Sequence, residues 1–234
     1  MKITYIYHSS FVIETEKITI IFDYWKDPAQ IIPNIIENSK KLYVFSSHFH
    51  EDHFNPIIFQ FRKIQPNVEF ILSKDILKHH KAHQGDGIFL QKHDIFQDDS
   101  LFVKAYGSTD VGVSWYLKCE GKNIFHAGDL NDWVWNEDSE KNKRQSQEFF
   151  DRELADIAKD VKQLDVAMFP VDSRIEGDYM RGAREFVEAI PTSLFIPMHF
   201  TAKPLLDAMA FKTIAQSNGS KFFSIKKEGD SIYL

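Results

Sequence analysis

An α/β fold of mixed β-sheets with helices outside is what this sequence predicts, on three observations. Short β-branched and aromatic runs dominate the first half of the chain, and from about residue 146 helix-spaced and strand-like segments alternate. No Gly/Ser-rich linker and no short-period repeat divides the 234 residues, so a single domain over 1–234 is expected. A hydrophobic content of 43 %, with 21 Phe, is enough for a sizeable core.

Along the chain, "ITYIY", "FVIET" and "ITIIF" within residues 2–22 read as strands, broken at His8-Ser9-Ser10 and between Glu14 and Lys17. "DPAQIIPNIIENSKK" is a loop entering a short helix, and "LYVFSS" is a buried strand. Past Asn55-Pro56, "IIFQFRKIQ" precedes the strand "VEFIL" and a helix "KDILKHHKAH" capped by Ser73. "SLFVKAY", "GVSWYLKCEG" and "KNIFHAG" are strands, the last two joined by a hairpin turn at Glu120-Gly121. There follow the helix "SQEFFDRELADIAKDVKQL", the strand "DVAMFPV", the helix "DYMRGAREFVEAI" and the strand "SLFIPMHF". A helix "KPLLDAMAFKTIAQSNG", closed by Gly219, and the strands "KFFSI" and "SIYL" end the chain. The charged run from Asn136 to Gln147 reads as a solvated loop or a helix start.

Charge and composition exclude several classes. With 28 basic and 34 acidic residues, the net charge of −6 offers no electrostatic reason for broad nucleic-acid or anionic-membrane binding. One cysteine, Cys119, rules out an intramolecular disulfide and a thiolate-rich zinc site, and its expected place is a packed strand. There is no charged leader followed by a long apolar run, and no stretch approaches the roughly 20 apolar residues that span a bilayer. The cytoplasm is the expected compartment and a small molecule the expected substrate, with homo-oligomerisation left open.

The chemistry concentrates in "HFHEDH", His48 to His53, directly after the strand "LYVFSS". Divalent metals take neutral imidazole nitrogens and carboxylate oxygens at roughly 2.0–2.2 Å, so ligands must cluster. In a tight loop, His48 and His50 can point to one side of the turn, with Asp52 and His53 further round it and Phe49 and Phe54 turned into the core. Packing does not explain four potential ligands in this order, which favours a metal site over a polar turn. Asp129 in "IFHAGDL" and His199 in "FIPMHF" each end an apolar strand. Either alone reads as a turn former or a satisfied polar residue; in this order they are specific.

Together, "HFHEDH", "HAGD" and "PMHF" resemble the metal-ligand motifs of the metallo-β-lactamase-fold hydrolases. The opening "MKITYIYHSSFVIET…ITIIFD" resembles the branch that includes ascorbate-6-phosphate lactonase and its uncharacterised relatives. The resemblance runs from the N-terminus to about His199. It implies a four-layer αββα sandwich of two mixed β-sheets flanked by helices, holding one or two divalent ions (zinc, manganese or iron). By motif, it implies His48 and His50 on one metal, Asp52, His53 and His199 on the second, and Asp129 as the bridging carboxylate. Asp52 or Asp129 would orient a metal-activated water and accept its proton. A further histidine expected for the first metal has no counterpart in "FVKAYGSTDVGVSW". Ser108, Thr109 and Asp110 are the nearby oxygen donors, Asp110 the best on charge, with His93 and the group His79, His80 and His83 as alternatives. The departure predicts either a weakly held first metal or an oxygen-rich site that favours manganese or iron over zinc.

Around this set, Asp23 either orients a ligand histidine or forms a turn, and His8 either lies near the site or is structural. Trp133 and Trp135 either wall a pocket or pack in the core. Arg174, Arg181 and Lys203 either hold a phosphate or carboxylate or are solvated charges. The expected activity is hydrolysis of a small ester, lactone, amide or phosphodiester. The alternatives are a phosphodiesterase or nuclease of the same fold, and a non-catalytic or mononuclear metal-containing binding or sensor protein.

Overall fold

The structure, a computed structural model, describes residues 1–200 and 205–234. The chain forms two compact units, Met1–Gln91 with Ile225–Leu234, and Lys92–Ser224. Each unit holds one seven-stranded mixed sheet with helices beside it, in agreement with the expected mixed sheets and flanking helices.

In the first unit, strands Lys2–Tyr7, Ser10–Glu14 and Thr19–Phe22 run antiparallel, and Thr19–Phe22, Leu42–Ser46, Val68–Ser73 and Ile88–Leu90 continue the sheet in parallel. The terminal strand Ser231–Tyr233 returns to pair with Lys2–Tyr7. Every residue of Thr19–Phe22 and Leu42–Ser46 is buried. That is why these runs are continuously apolar rather than alternating: a central parallel strand is covered on both faces. Helix Ile32–Asn38 and the 3-10 helix Pro56–Lys63 make the crossovers, and their apolar residues, among them Ile36 and Ile58, join the core of this unit.

In the second unit, strands Ile95–Gln97, Phe102–Gly107, Val113–Cys119 and Lys122–His126 form an antiparallel meander. Lys122–His126, Leu164–Pro170, Thr192–Met198 and Lys221–Phe222 then run parallel. The hairpin at Glu120-Gly121 is present, with φ of 47° and 74° at the two turn residues, the left-handed pair that matches strand twist. Phe125, Phe150, Phe169, Phe186 and Phe195 are fully buried here, each worth about 1.5–3 kcal/mol of burial.

Several elements differ from the sequence reading. Strands Ile88–Leu90 and Ile95–Gln97 have three residues each, too few to show a period. The long helix starts at Glu140, with the Ser139 hydroxyl accepting from the Asn142 amide, so the charged run is a helix start. Its first turns are solvated all round and carry no apolar face. The helix expected over "KDILKHHKAH" stops at Lys78. The last helical region is two pieces, Leu205–Ala210 and Lys212–Ser217. Among the described residues no helix is long and apolar enough to cross a membrane.

Candidate metal-binding residues

In an open parallel sheet, functional groups gather beyond the carboxyl ends of the strands. In the first unit, Asp23 follows Thr19–Phe22 and the segment Ser47 to His53 follows its neighbour Leu42–Ser46, with the Asp23 amide donating to the Phe45 carbonyl at 2.9 Å. The turn at His8 lies at the same end, because Phe11 pairs with Phe22. Both His8 (φ 56°) and Asp23 (φ 43°) take the left-handed conformation, which costs energy outside glycine and tends to persist where function requires it.

Asp23, fully buried, is the hub of this cluster. It accepts from the Ser47 amide at 2.7 Å, from the Ser47 hydroxyl at 2.6 Å and from His53 Nδ1 at 2.6 Å. The Ser47 hydroxyl also reaches His48 Nδ1 at 3.0 Å. A carboxylate on Nδ1 places the proton there and makes Nε2 the ligating nitrogen. The turn closes on amides of His53 and Phe54 donating to the His50 carbonyl, which brings the rings of His48 and His53 to 4.1 Å between centroids, tilted by 36°, and sets His50 at 4.7 Å from His48. Asp52, half-buried, lies 3.3 Å from His8 Nε2, and one ligand atom each of His8, Asp52 and His53 lies within 4.8 Å of the others. His8 thus joins this group, and Asp23 orients a histidine in addition to forming its turn.

Phe54 is in the core as expected, and Phe49, half-buried, packs against that core while also stacking on His79 at 3.8 Å. That contact, and the hydrogen bond between His93 Nε2 and Asp156 at 2.7 Å, engage two of the alternative histidines. His83 is exposed, its amide donating to Asp86, and His80 is an exposed turn residue with φ of 55°.

The second unit repeats the arrangement at three neighbouring parallel strands. Asp129 follows Lys122–His126, Asp172 follows Leu164–Pro170 and His199 follows Thr192–Met198. Gly128 turns the chain with φ of 54°, and His199 sits at φ 67°. Asp129 Oδ1 is 3.3 Å from His199 Nε2. Asp110, on the turn between Phe102–Gly107 and Val113–Cys119, offers a carboxylate oxygen within 4.8 Å of one on Asp129.

Asp172 was not singled out in the sequence, where it reads as an ordinary acid after "AMFPV". Fully buried, it holds His199 Nδ1 at 2.9 Å and takes three bonds from the Arg174 guanidinium, at 2.9, 3.0 and 2.6 Å. Burial pushes its carboxyl up, yet the bonds from His199 and Arg174 outweigh that and hold it well below the usual carboxylate range. Arg181 is engaged as well, with Glu185 at 2.7 Å and Asp132 at 3.4 Å, and Lys203 lies outside the described residues. Trp133 and Trp135 are half-buried and line one cavity of about 310 Å³ with Thr109, Asp110, Asp129, Arg174 and His199.

Asp132 behaves oppositely to Asp172. Burial pushes its carboxyl up to about 6 despite the opposing pull of Arg181. A folded value above the unfolded one means that its stabilising contribution is complete below about pH 4 and is lost as pH rises through about 6. Asp132→Asn is therefore expected to stabilise the protein by about 1–3 kcal/mol at pH 8 and by nothing measurable at pH 4. Urea unfolding at both pH values checks this; an equal change at both would contradict it.

The donor set consists of imidazoles and carboxylates. Cys119 is a buried strand residue whose thiol is pushed up to about 12 by burial, with Glu120 adding to the effect. Such a set suits zinc, manganese or iron, and the buried carboxylates on His53 and His199 supply the outer partners that ligand histidines use.

A family profile described as "Beta-lactamase superfamily domain" matches residues 2–145, more than half of the chain. The chain belongs to the beta-lactamase superfamily. Within it, a "UPF0173 metal-dependent hydrolase" of Nanoarchaeum equitans is 27% identical over 242 residues, covering 97% of this chain and 98% of that protein. A protein of the same description from Desulforamulus reducens is 24% identical over 251 residues, with 100% of both chains covered. The solved structure of Igni18, described as a metallo hydrolase from Ignicoccus hospitalis, superposes with a TM-score of 0.69 at 18% identity, covering 99% of this chain and 97% of that one. These likenesses show that this superfamily member has the metallo-β-lactamase fold.

Proposed function

We propose that this protein is a metal-dependent hydrolase in which His48, His50, Asp52, His53, Asp129 and His199 hold one or two divalent ions. The observation that carries the reading is the repeated pairing of a buried histidine with a fully buried carboxylate, His53 with Asp23 at 2.6 Å and His199 with Asp172 at 2.9 Å. Each pairing places the proton on Nδ1 and directs ligation to Nε2. Asp110, close to Asp129, supplies the oxygen donor in place of the histidine that "FVKAYGSTDVGVSW" lacks, which favours manganese or iron over zinc.

When bound, a divalent ion would supply a Lewis acid and a water made acidic enough to serve as nucleophile near neutral pH. Asp52 or Asp129 would orient that water and accept its proton on a carboxylate oxygen. Asp23 and Asp172 hold the ligand imidazoles in one tautomer and one rotamer while charge builds up. The substrate is a small ester, lactone or phosphodiester, in line with the hydrolase descriptions of the relatives.

Elemental analysis of protein prepared without chelator, then back-titrated with manganese, iron and zinc, tests this reading. One or two ions per chain are expected, with turnover of ester or lactone substrates by the loaded protein. A chain that takes up no ion under supplementation would refute it, and binding without any turnover would leave a metal-containing binder.

A further inference from the structure

The two tryptophans add a substrate preference, and this inference rests on the hydrolase reading above. The indole planes of Trp133 and Trp135 lie within 12° of parallel, with centroids 6.3 Å apart. Trp133 is held in place by its indole N–H, which donates to the Asp129 carbonyl at 2.8 Å, and by its edge contact with His199 at 5.3 Å. Neither indole belongs to the core of the unit, which the fully buried phenylalanines fill; both remain half-buried. Their remaining surface faces the cavity that Asp129 and His199 also line.

The rest of that lining is polar: Thr109, Asp110, Arg174 and the two candidate ligands. Among the described residues, the apolar part of a ligand in this cavity has the flat indole surface to bury against, and flat π-surfaces select flat rings by offset stacking. Size agrees. A cavity of about 150 Å³ accepts one benzene ring. The cavity here, about 310 Å³, has room for one ring and the group to be cleaved. Arg174, its side chain 55% exposed and its Nε and Nη2 bonded to Asp172, adds positive charge to the same wall, which favours an anionic ligand.

We propose that the substrate carries a single aromatic ring next to the bond that is hydrolysed, and that this ring stacks on Trp133 and Trp135. For an ester of this kind, the water oxygen bonds to the acyl carbon and the acyl carbon–oxygen bond breaks. One water proton ends on the departing alcohol oxygen, the other is released to solvent, and the arylalkyl carboxylate remains beside the indoles.

The test is calorimetric titration of metal-loaded protein with phenylacetate and with cyclohexylacetate, a carboxylate of similar size whose ring is puckered. Phenylacetate is expected to bind about five- to tenfold more tightly. Trp135→Leu should erase that preference and Trp135→Phe should keep it, with metal content unchanged in both by elemental analysis. Equal binding of the two acids, no binding of either, or a preference that survives Trp135→Leu overturns the proposal. A ring preference without hydrolysis of methyl phenylacetate supports the ring site and counts against the hydrolase reading. Hydrolysis of aliphatic esters without a ring preference does the reverse.

Discussion

Asp129→Ala is expected to lose most bound metal and to lower turnover by more than the roughly 10- to 100-fold that removal of an outer hydrogen-bond partner costs. The expectation follows from position: the carboxylate ends a parallel strand, is buried, and sits 3.3 Å from His199 Nε2 with an Asp110 oxygen within 4.8 Å. Two carboxylates this close repel each other unless a cation lies between them. Alanine removes that repulsion, so the metal-free variant should melt no lower than the metal-free parent. What it should lose is the rise in melting temperature on adding metal, since a ligand stabilises only the state that binds it. Elemental analysis and paired melts with and without metal check both halves. A variant that still binds metal, or that melts well below the parent when both are metal-free, would assign Asp129 a structural role instead.

Asp23→Asn carries the second large effect. The carboxylate accepts three hydrogen bonds, one of them from His53 Nδ1 at 2.6 Å, and is fully buried. The amide keeps the size and the tolerance for the left-handed backbone at φ 43°. It also turns one acceptor into a donor. With an N–H facing His53 Nδ1, the imidazole adopts the other tautomer and its Nε2 carries the proton, so it can no longer ligate. Metal affinity should fall by roughly 10- to 100-fold with the fold intact. Asp172→Asn should act on His199 in the same way, and it additionally strands the Arg174 guanidinium. Affinity measured by competition with a chromophoric chelator, with circular dichroism as the control for folding, decides the matter; unchanged affinity in both variants would remove the orienting role.

Much of the fold was legible because its central strands are continuously apolar and its long helix is periodic over "EFFDRELADI". What escaped were elements too short for a period, such as Ile88–Leu90 and Ile95–Gln97, while the turns from Glu140 took the second of the two readings of the charged run, a helix start. The same division holds for the candidate ligands. His48, His50, Asp52 and His53 announce themselves because they are contiguous and chemically matched. Asp129 and His199 stand out because each ends an apolar strand. Asp172 does so too, but an aspartate before "SRI" is indistinguishable in sequence from any other acid after a strand. Its role depends on a contact with a residue 27 positions away.

By itself, the sequence determined the residue types available to a metal, the absence of a thiolate ligand set, the strand–turn punctuation that presents those residues, and the histidine missing from "FVKAYGSTDVGVSW". These are local properties, set by which side chains follow which strand. Only the tertiary structure decided that Asp23 and Asp172 each hold a histidine, that Asp110 rather than His79 or His93 lies beside Asp129, and that the two indoles face a cavity rather than the core. The physical reason is register. Which carboxylate meets which imidazole depends on how neighbouring strands pair, and that pairing is a property of the whole sheet rather than of any one segment.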